Sequence, residues 1–198
     1  MGEKYVEKRV RVANYGTLPS SSPLLVQVPS SRGAVMRLHR LAAAQFEKLA
    51  AAIKQELRLD LKIASGWRPH RWKSRQDYEA KLIAKYGSVS AGRKWLAYDS
   101  PHETGLAMDI GVGGLEPNRK TADTQRKTKL HRWLVDNAHN YGWHPYKAEP
   151  WHWECPIGRK AWETGELVDD DDEALAFGLT DEYEEDDAVE DDFDDDDD

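Results

Sequence analysis

The chain has 198 residues, 39% of them apolar and 32% charged, with a formal net charge of -8 and a single cysteine. That length suits one domain with appendages. No stretch approaches the roughly 18 apolar residues of a membrane span, and a lone Cys155 excludes an internal disulfide framework and a cysteine-based zinc knuckle. The charge is unevenly placed. Residues 161–198 carry 21 acidic residues and no Lys or Arg, so residues 1–160 hold the other 15 acidic side chains against all 28 basic ones, a net of +13. A basic body of this kind could favour nucleic acid, anionic cell-wall polymer or an acidic membrane surface through long-range attraction, and its acidic tail could compete for the same face.

Residues 1–32 read as a weakly structured N-terminal segment, with one candidate strand at Leu24–Val28 among prolines and serines. From about Ala34 to Leu57, apolar residues recur at three- and four-residue steps and predict a helix with one core-facing stripe. A short strand, Leu61 to Ala64, runs into the polar turn Ser65-Gly66-Trp67-Arg68-Pro69. Residues 72–86 form a second expected helix, Gly87 to Pro101 a loop, and Leu106 to Val112 a strand closed by Gly113 and Gly114. A third helix is expected over Thr121 to Tyr141, with Gly142 as its C-terminal cap. Two short strands, Trp143–Tyr146 and Trp151–Cys155, end the folded part. Helices and short strands without a βαβ repeat point to an α+β fold. The domain is expected over residues 33–160, followed by a disordered acidic tail over 161–198 whose runs of aspartate repel one another.

Two stretches can carry chemistry. In Ser100-Pro101-His102-Glu103-Thr104-Gly105-Leu106-Ala107-Met108-Asp109, the proline and glycine argue against a helix. A loop bearing His102, a turn at Gly105 and a returning strand would bring Asp109 beside the imidazole. In Glu149-Pro150-Trp151-His152-Trp153-Glu154, strand alternation sends Trp151 and Trp153 to one face and His152 and Glu154 to the other. Two histidines and one aspartate make three zinc ligands, and the open fourth position is that of a catalytic site. Glu149, a carboxylate outside the ligand set, is a candidate general base. Glu154 is a candidate to orient the ligand beside it.

Ser100-x-His102-x-x-Gly105-x-Ala107-x-Asp109, followed by Glu149-x-Trp151-His152, resembles the paired signature of the peptidoglycan metallopeptidases of the D-Ala-D-Ala carboxypeptidase and VanX/VanY type. Phage endolysins that cut L-alanyl-D-glutamate bonds are similar to the same family. Ser65-Gly66-Trp67-Arg68 resembles the family's Ser-Gly-Tyr-Arg segment, with Trp in place of Tyr and so one hydroxyl fewer beside Arg68. The resemblance spans about Ala34 to Pro156. It implies a small hedgehog/DD-peptidase-like domain with a short antiparallel sheet and flanking helices. It also implies one Zn2+ ion held by His102, Asp109 and His152, with Glu149 as the base that moves a proton from the attacking water to the leaving amine. Arg68 would stabilise the oxyanion, and Ser100, Ser65 and Trp67 would contact substrate.

The expected function is therefore zinc-dependent hydrolysis of an amide in peptidoglycan stem peptides, by a phage-type or delivered lysin with L-alanyl-D-glutamate specificity. The alternatives are a D-alanyl-D-alanine carboxypeptidase or dipeptidase, or a catalytically silent wall-binding or virion component. The N-terminus, Met1 to Arg9, lacks an apolar h-region and a small-residue cleavage site, so no signal peptide is expected. Synthesis in the cytoplasm is expected, with action on the wall after release or delivery. The expected partner is the stem peptide, with a delivery or virion partner possible through the acidic tail and no nucleic-acid or integral-membrane contact. His-Glu-x-x-His chemistry fails at Leu106, and no phosphate loop or nucleophile elbow is present.

Overall fold

The computed structural model describes residues 11–93, 96–111 and 115–167. The first paired elements are β1 (Leu25–Val28) and β2 (Met36–His39), antiparallel with Leu25 opposite His39 and Val28 opposite Met36. The helix predicted from Ala34 therefore begins late, as α1 (Arg40–Leu57). Val35 is 66% exposed despite fitting the apolar spacing, and pairing with β1 claims Met36 to His39 for a strand. His39 then caps the helix: its Nδ1 accepts from the Leu41 N–H at 3.3 Å. Such a cap satisfies one of the helix's first unpaired backbone donors.

A short strand, β3 (Ile63–Ser65), precedes α2 (Arg75–Tyr86), whose N-cap Ser74 accepts from Asp77 N–H. The predicted loop after Gly87 contains a further short helix, α3 (Val89–Arg93). Trp72, Tyr78 and Leu82 form a small satellite core there. It pins the following loop through Trp72 Nε1 donating to Ala97 O and Tyr78 OH to Leu96 O. A 3₁₀ turn at Pro101–Thr104 leads through Gly105 into β4 (Ala107–Ile110). The strand's predicted end at Val112, with Gly113 and Gly114, lies outside the described residues.

The single helix predicted over Thr121 to Tyr141 is three pieces: α4 (Arg119–Arg126), α5 (Lys129–Asn137) and a 3₁₀ turn at Ala138–Tyr141. Thr128 is the cause of the break. Its backbone is extended, and its hydroxyl caps α5 by accepting from His131 N–H at 3.1 Å. Gly142 closes the last turn at φ 73, a left-handed conformation that glycine adopts freely. The final strands are β5 (His144–Tyr146) and β6 (Glu149–Glu154). A last helix, α6 (Arg159–Thr164), buries Ala161 and Trp162, so the segment from 161 is folded at its start. Residues 168–198 of the expected tail, and residues 1–10, lie outside the described residues.

β3, β4, β6 and β5, in that order, form one antiparallel sheet. Ile63, Met108, Ile110 and Trp153 from the sheet join Phe46, Leu49 and Ile53 of α1 and Leu130 and Leu134 of α5 in one core. The mixed helices and small antiparallel sheets make the fold α+β. Because residues opposite one another across antiparallel strands share a face, Ser65, Asp109 and His152 line up on a single rung, with Asp109 in the middle. Among the described residues, no helix is long and apolar enough to cross a membrane.

Candidate metal centre

The sheet brings Asp109 and His152 together, and the 3₁₀ turn supplies the third group. Gly105 sits at φ 77, and a Cβ there would lie 2.8 Å from His39 N. Only glycine fits this turn, which returns the chain into β4 with His102 above it. His102 Nε2 then lies 3.2 Å from Asp109 Oδ1, and His152 Nδ1 lies 3.0 Å from the same oxygen. The two imidazoles meet edge to face at 5.0 Å. One donor atom from each of the three residues falls within 4.8 Å of the others. Two imidazoles and a carboxylate at such a spacing fit a zinc-type ion with three protein ligands.

Each imidazole is oriented from behind. His102 Nδ1 is 2.8 Å from Gly66 O, which fixes the proton on Nδ1 and leaves the Nε2 lone pair toward Asp109. His152 Nε2 is 3.0 Å from Glu154 Oε1, which leaves Nδ1 as its inward-facing atom. His102 and His152 are only 2% and 6% exposed.

The charges follow from this packing. Burial pushes the Asp109 carboxyl up, but the two imidazoles outweigh it and hold the group well below the usual carboxylate range. His152 loses charge stability by burial yet sits between two carboxylates, Asp109 and Glu154, and is raised to about 9. Burial lowers His102, and the nearby Arg68 charge lowers it further. The centre therefore holds a strongly anionic carboxylate, ready for a cation.

The remaining sequence-predicted residues are placed as follows. Arg68 is exposed, its backbone N–H donates to His102 O at 3.2 Å, and its charge is felt at that imidazole. Glu149 opens β6, and its Oε2 accepts from Trp151 Nε1 at 3.1 Å, leaving Oε1 without a hydrogen-bond partner among the described residues. Ser100 precedes the 3₁₀ turn, and its hydroxyl makes no capping bond. Ser65 lies on the Asp109 rung. Trp67 packs against the core margin, with the Arg37 guanidinium 4.8 Å above its ring and its indole N–H buried.

Sequence reasoning missed Tyr146, whose ring meets His152 edge-on at 5.8 Å, and Arg11, stacked on Tyr146 at 4.4 Å. No local pattern marks either residue. A second group of donors, His70, Asp99 and Glu103, also gathers, but there the Glu103 carboxylate is shared between His70 Nδ1 and the Thr17 hydroxyl. Cys155 is fully buried, and burial pushes its thiol up to about 12, which leaves it inert.

A two-histidine, one-aspartate donor set on a short antiparallel sheet is what a metallohydrolase of the class expected from the sequence requires. Comparison with known proteins narrows the class: the chain belongs to the VanY family, described as D-alanyl-D-alanine carboxypeptidase, whose model matches residues 35–156. Over 154 residues it is 31% identical to YodJ of Bacillus subtilis (strain 168), a protein assigned by name to the carboxypeptidases. The match takes in 70% of this chain and 52% of YodJ, so the chain spans about half the length of that curated relative. The fold is similar to that of the LdcB LD-carboxypeptidase, with a TM-score of 0.55 and 26% identity, covering 75% of this chain and 73% of that one. A VanY D,D-pentapeptidase solved with Zn(II) is also similar, at 21% identity and a TM-score of 0.48, covering 88% of this chain and 93% of that one.

Proposed function

We propose that the chain is a zinc-dependent peptidase that hydrolyses an amide in peptidoglycan stem peptides and acts at the stem's C-terminal end, as a carboxypeptidase that releases a terminal D-alanine. The observation that carries the hydrolytic reading is the convergence of one donor atom each from His102, Asp109 and His152 within 4.8 Å, with the Arg68 charge felt at His102. The family match and the two carboxypeptidase relatives support the C-terminal bond over the L-alanyl-D-glutamate bond.

His102, Asp109 and His152 would hold the ion. When bound, zinc polarises the scissile carbonyl and makes water acidic enough to attack near neutral pH. Glu149 Oε1 takes a proton from the attacking water and returns it to the leaving amine, so the carboxylate ends the cycle as it began. Trp151 fixes the other oxygen of that carboxylate and so its direction. Arg68 presents a positive charge to the carbonyl oxygen as it becomes anionic, which stabilises the transition state more than the ground state. Ser100, which precedes the turn bearing His102 and makes no capping bond, would hydrogen-bond the substrate.

The test is a digest of purified peptidoglycan by the wild type and by Glu149→Gln, each with and without a chelator, with the fragments read by mass spectrometry. Free D-alanine from the wild type, reduced about 10²–10⁴-fold in the variant and abolished by chelator, is the expected result. New D-glutamate N-termini, from cleavage between L-alanine and D-glutamate, would replace the carboxypeptidase with the endopeptidase. No cleavage by a folded, zinc-loaded protein would replace both with a wall-binding role.

A further inference from the structure

The Glu154 carboxylate is only 1% exposed and accepts three hydrogen bonds. One comes from His152 Nε2 at 3.0 Å, and the other two come from the far end of the chain: Arg11 Nε at 3.0 Å and the Val12 N–H at 2.6 Å. The segment that begins there continues to the other ligand. Tyr15 OH donates to Ile157 O at 2.8 Å, Thr17 Oγ1 to Glu103 Oε2 at 2.6 Å, and the Leu18 N–H to Glu103 O at 3.1 Å. Residues 11–18 thus form a strap fastened at one end beside His152 and at the other to the residue that follows His102. Arg11 also covers the Tyr146 ring that abuts His152. The strap lies outside residues 35–156, the part of the chain that the VanY family model matches.

A neutral imidazole offers its Nδ1 lone pair to a metal only when its proton is on Nε2, and a carboxylate at Nε2 selects that tautomer and fixes the ring's direction. A carboxylate as buried as Glu154 is itself expensive unless its oxygens are satisfied. Arg11 and Val12 supply the missing donors. We propose that Glu154 is a positioning residue for the metal centre and that the N-terminal strap, by clamping Glu154, sets how tightly the centre holds its ion. The proposal rests on the reading of His102, Asp109 and His152 as metal ligands.

The test is zinc affinity of the full chain, measured by competition with a chromogenic chelator, alongside the melting temperature of the metal-free protein and the visible spectrum of the Co2+ form. In Glu154→Gln the carboxylate charge is lost and one amide oxygen must serve donors that two oxygens served, with an N–H2 left against the Arg11 and Val12 side, so His152 is held less firmly and zinc should bind about 10–100-fold more weakly with an altered Co2+ spectrum. Arg11→Ala, which removes a half-exposed side chain, should weaken zinc several-fold while the metal-free melting temperature stays close to that of the wild type. Arg11→Lys should restore part of the affinity by returning a cation to Glu154. Unchanged zinc affinity in both Glu154→Gln and Arg11→Ala, with a wild type that binds zinc, overturns the strap proposal and leaves the metal reading intact. A wild type that does not bind zinc, or a His152→Ala variant that binds it equally well, overturns the metal reading and the strap proposal with it.

Discussion

Gly66 has two contacts that leave no room for any other residue. Its carbonyl receives His102 Nδ1–H at 2.8 Å, while a Cβ at this position would lie 2.4 Å from the carbonyl oxygen of Arg37. That oxygen is backbone, itself engaged by the Trp67 N–H at 2.7 Å, and cannot swing aside. Gly66→Ala should therefore cost about 1–3 kcal/mol of stability, as overpacking does, and should weaken zinc binding because the carbonyl that orients His102 must move. Urea unfolding and chelator competition check both effects, and an unchanged urea midpoint would refute the argument. At this scale the sequence is informative about ligand types and poor about what orients them. His102, Asp109 and His152 stand out because few loops or strands place such groups at turns and on one strand face. Of their orienting partners, Glu154 is marked by strand alternation with His152, but the Gly66 carbonyl leaves no side-chain signal, and Arg11, which holds Glu154, lies 143 positions away. Beside Gly66, the Trp67 ring lies under the Arg37 guanidinium, a partner 30 positions away that no local pattern announces.

At the scale of elements, α1, α6 and the His102 turn meet at His39. Its Nδ1 caps α1, its Nε2 lies 3.1 Å from Trp162 O, and its backbone N–H donates to Gly105 O at 2.9 Å. Trp162 Nε1 in turn donates to Thr104 O at 2.9 Å. Both His39 nitrogens are used by the neutral ring, and burial holds its pKa at about 4, as it does for His144. A histidine depressed in this way contributes stability that is complete above its unfolded value near 6.5 and is lost as pH falls to 4. Each accounts for roughly 3 kcal/mol over that window. Chelator-treated protein should thus unfold at progressively lower urea as pH falls from 6.5 to 4, and His39→Asn, which keeps a capping acceptor but does not titrate, should show a shallower decline. Equal slopes for the two proteins would contradict this account. His39 also shows why the helix start was hard to read. Apolar spacing alone runs unbroken from Ala34, and only pairing with a strand that precedes it and bonding to Gly105 determine that helical backbone begins at Arg40. The same limit applies to α4 and α5, where Thr128 fits a helical pattern as well as it fits a cap.

Across the whole molecule, the dominant feature is charge. A +13 stretch over residues 1–160 precedes a segment with 21 acidic residues, and we propose that the acidic part screens the basic body from anionic wall polymer. A protein ending at Leu167 should then bind isolated wall material more tightly than the full chain at low salt, and the difference should shrink as salt rises and the screening length falls to about 10 Å at 0.1 M. Equal binding at low salt would rule the screen out. The composition made this asymmetry plain, whereas the folding of residues 159–164 into α6 was hidden by it, because Ala161 and Trp162 stand at the edge of an acidic run yet are buried.

The single rung that carries Ser65, Asp109 and His152 has a consequence for how the molecule assembles. Successive side chains on a strand point to opposite faces, so a slip of one residue in β4 would turn Asp109 into the apolar core and leave His152 facing nothing it can share an ion with. Only the correctly paired sheet can take up the metal. An ion available while the chain folds would therefore proofread strand pairing, trapping the native register and leaving every slipped one unrewarded.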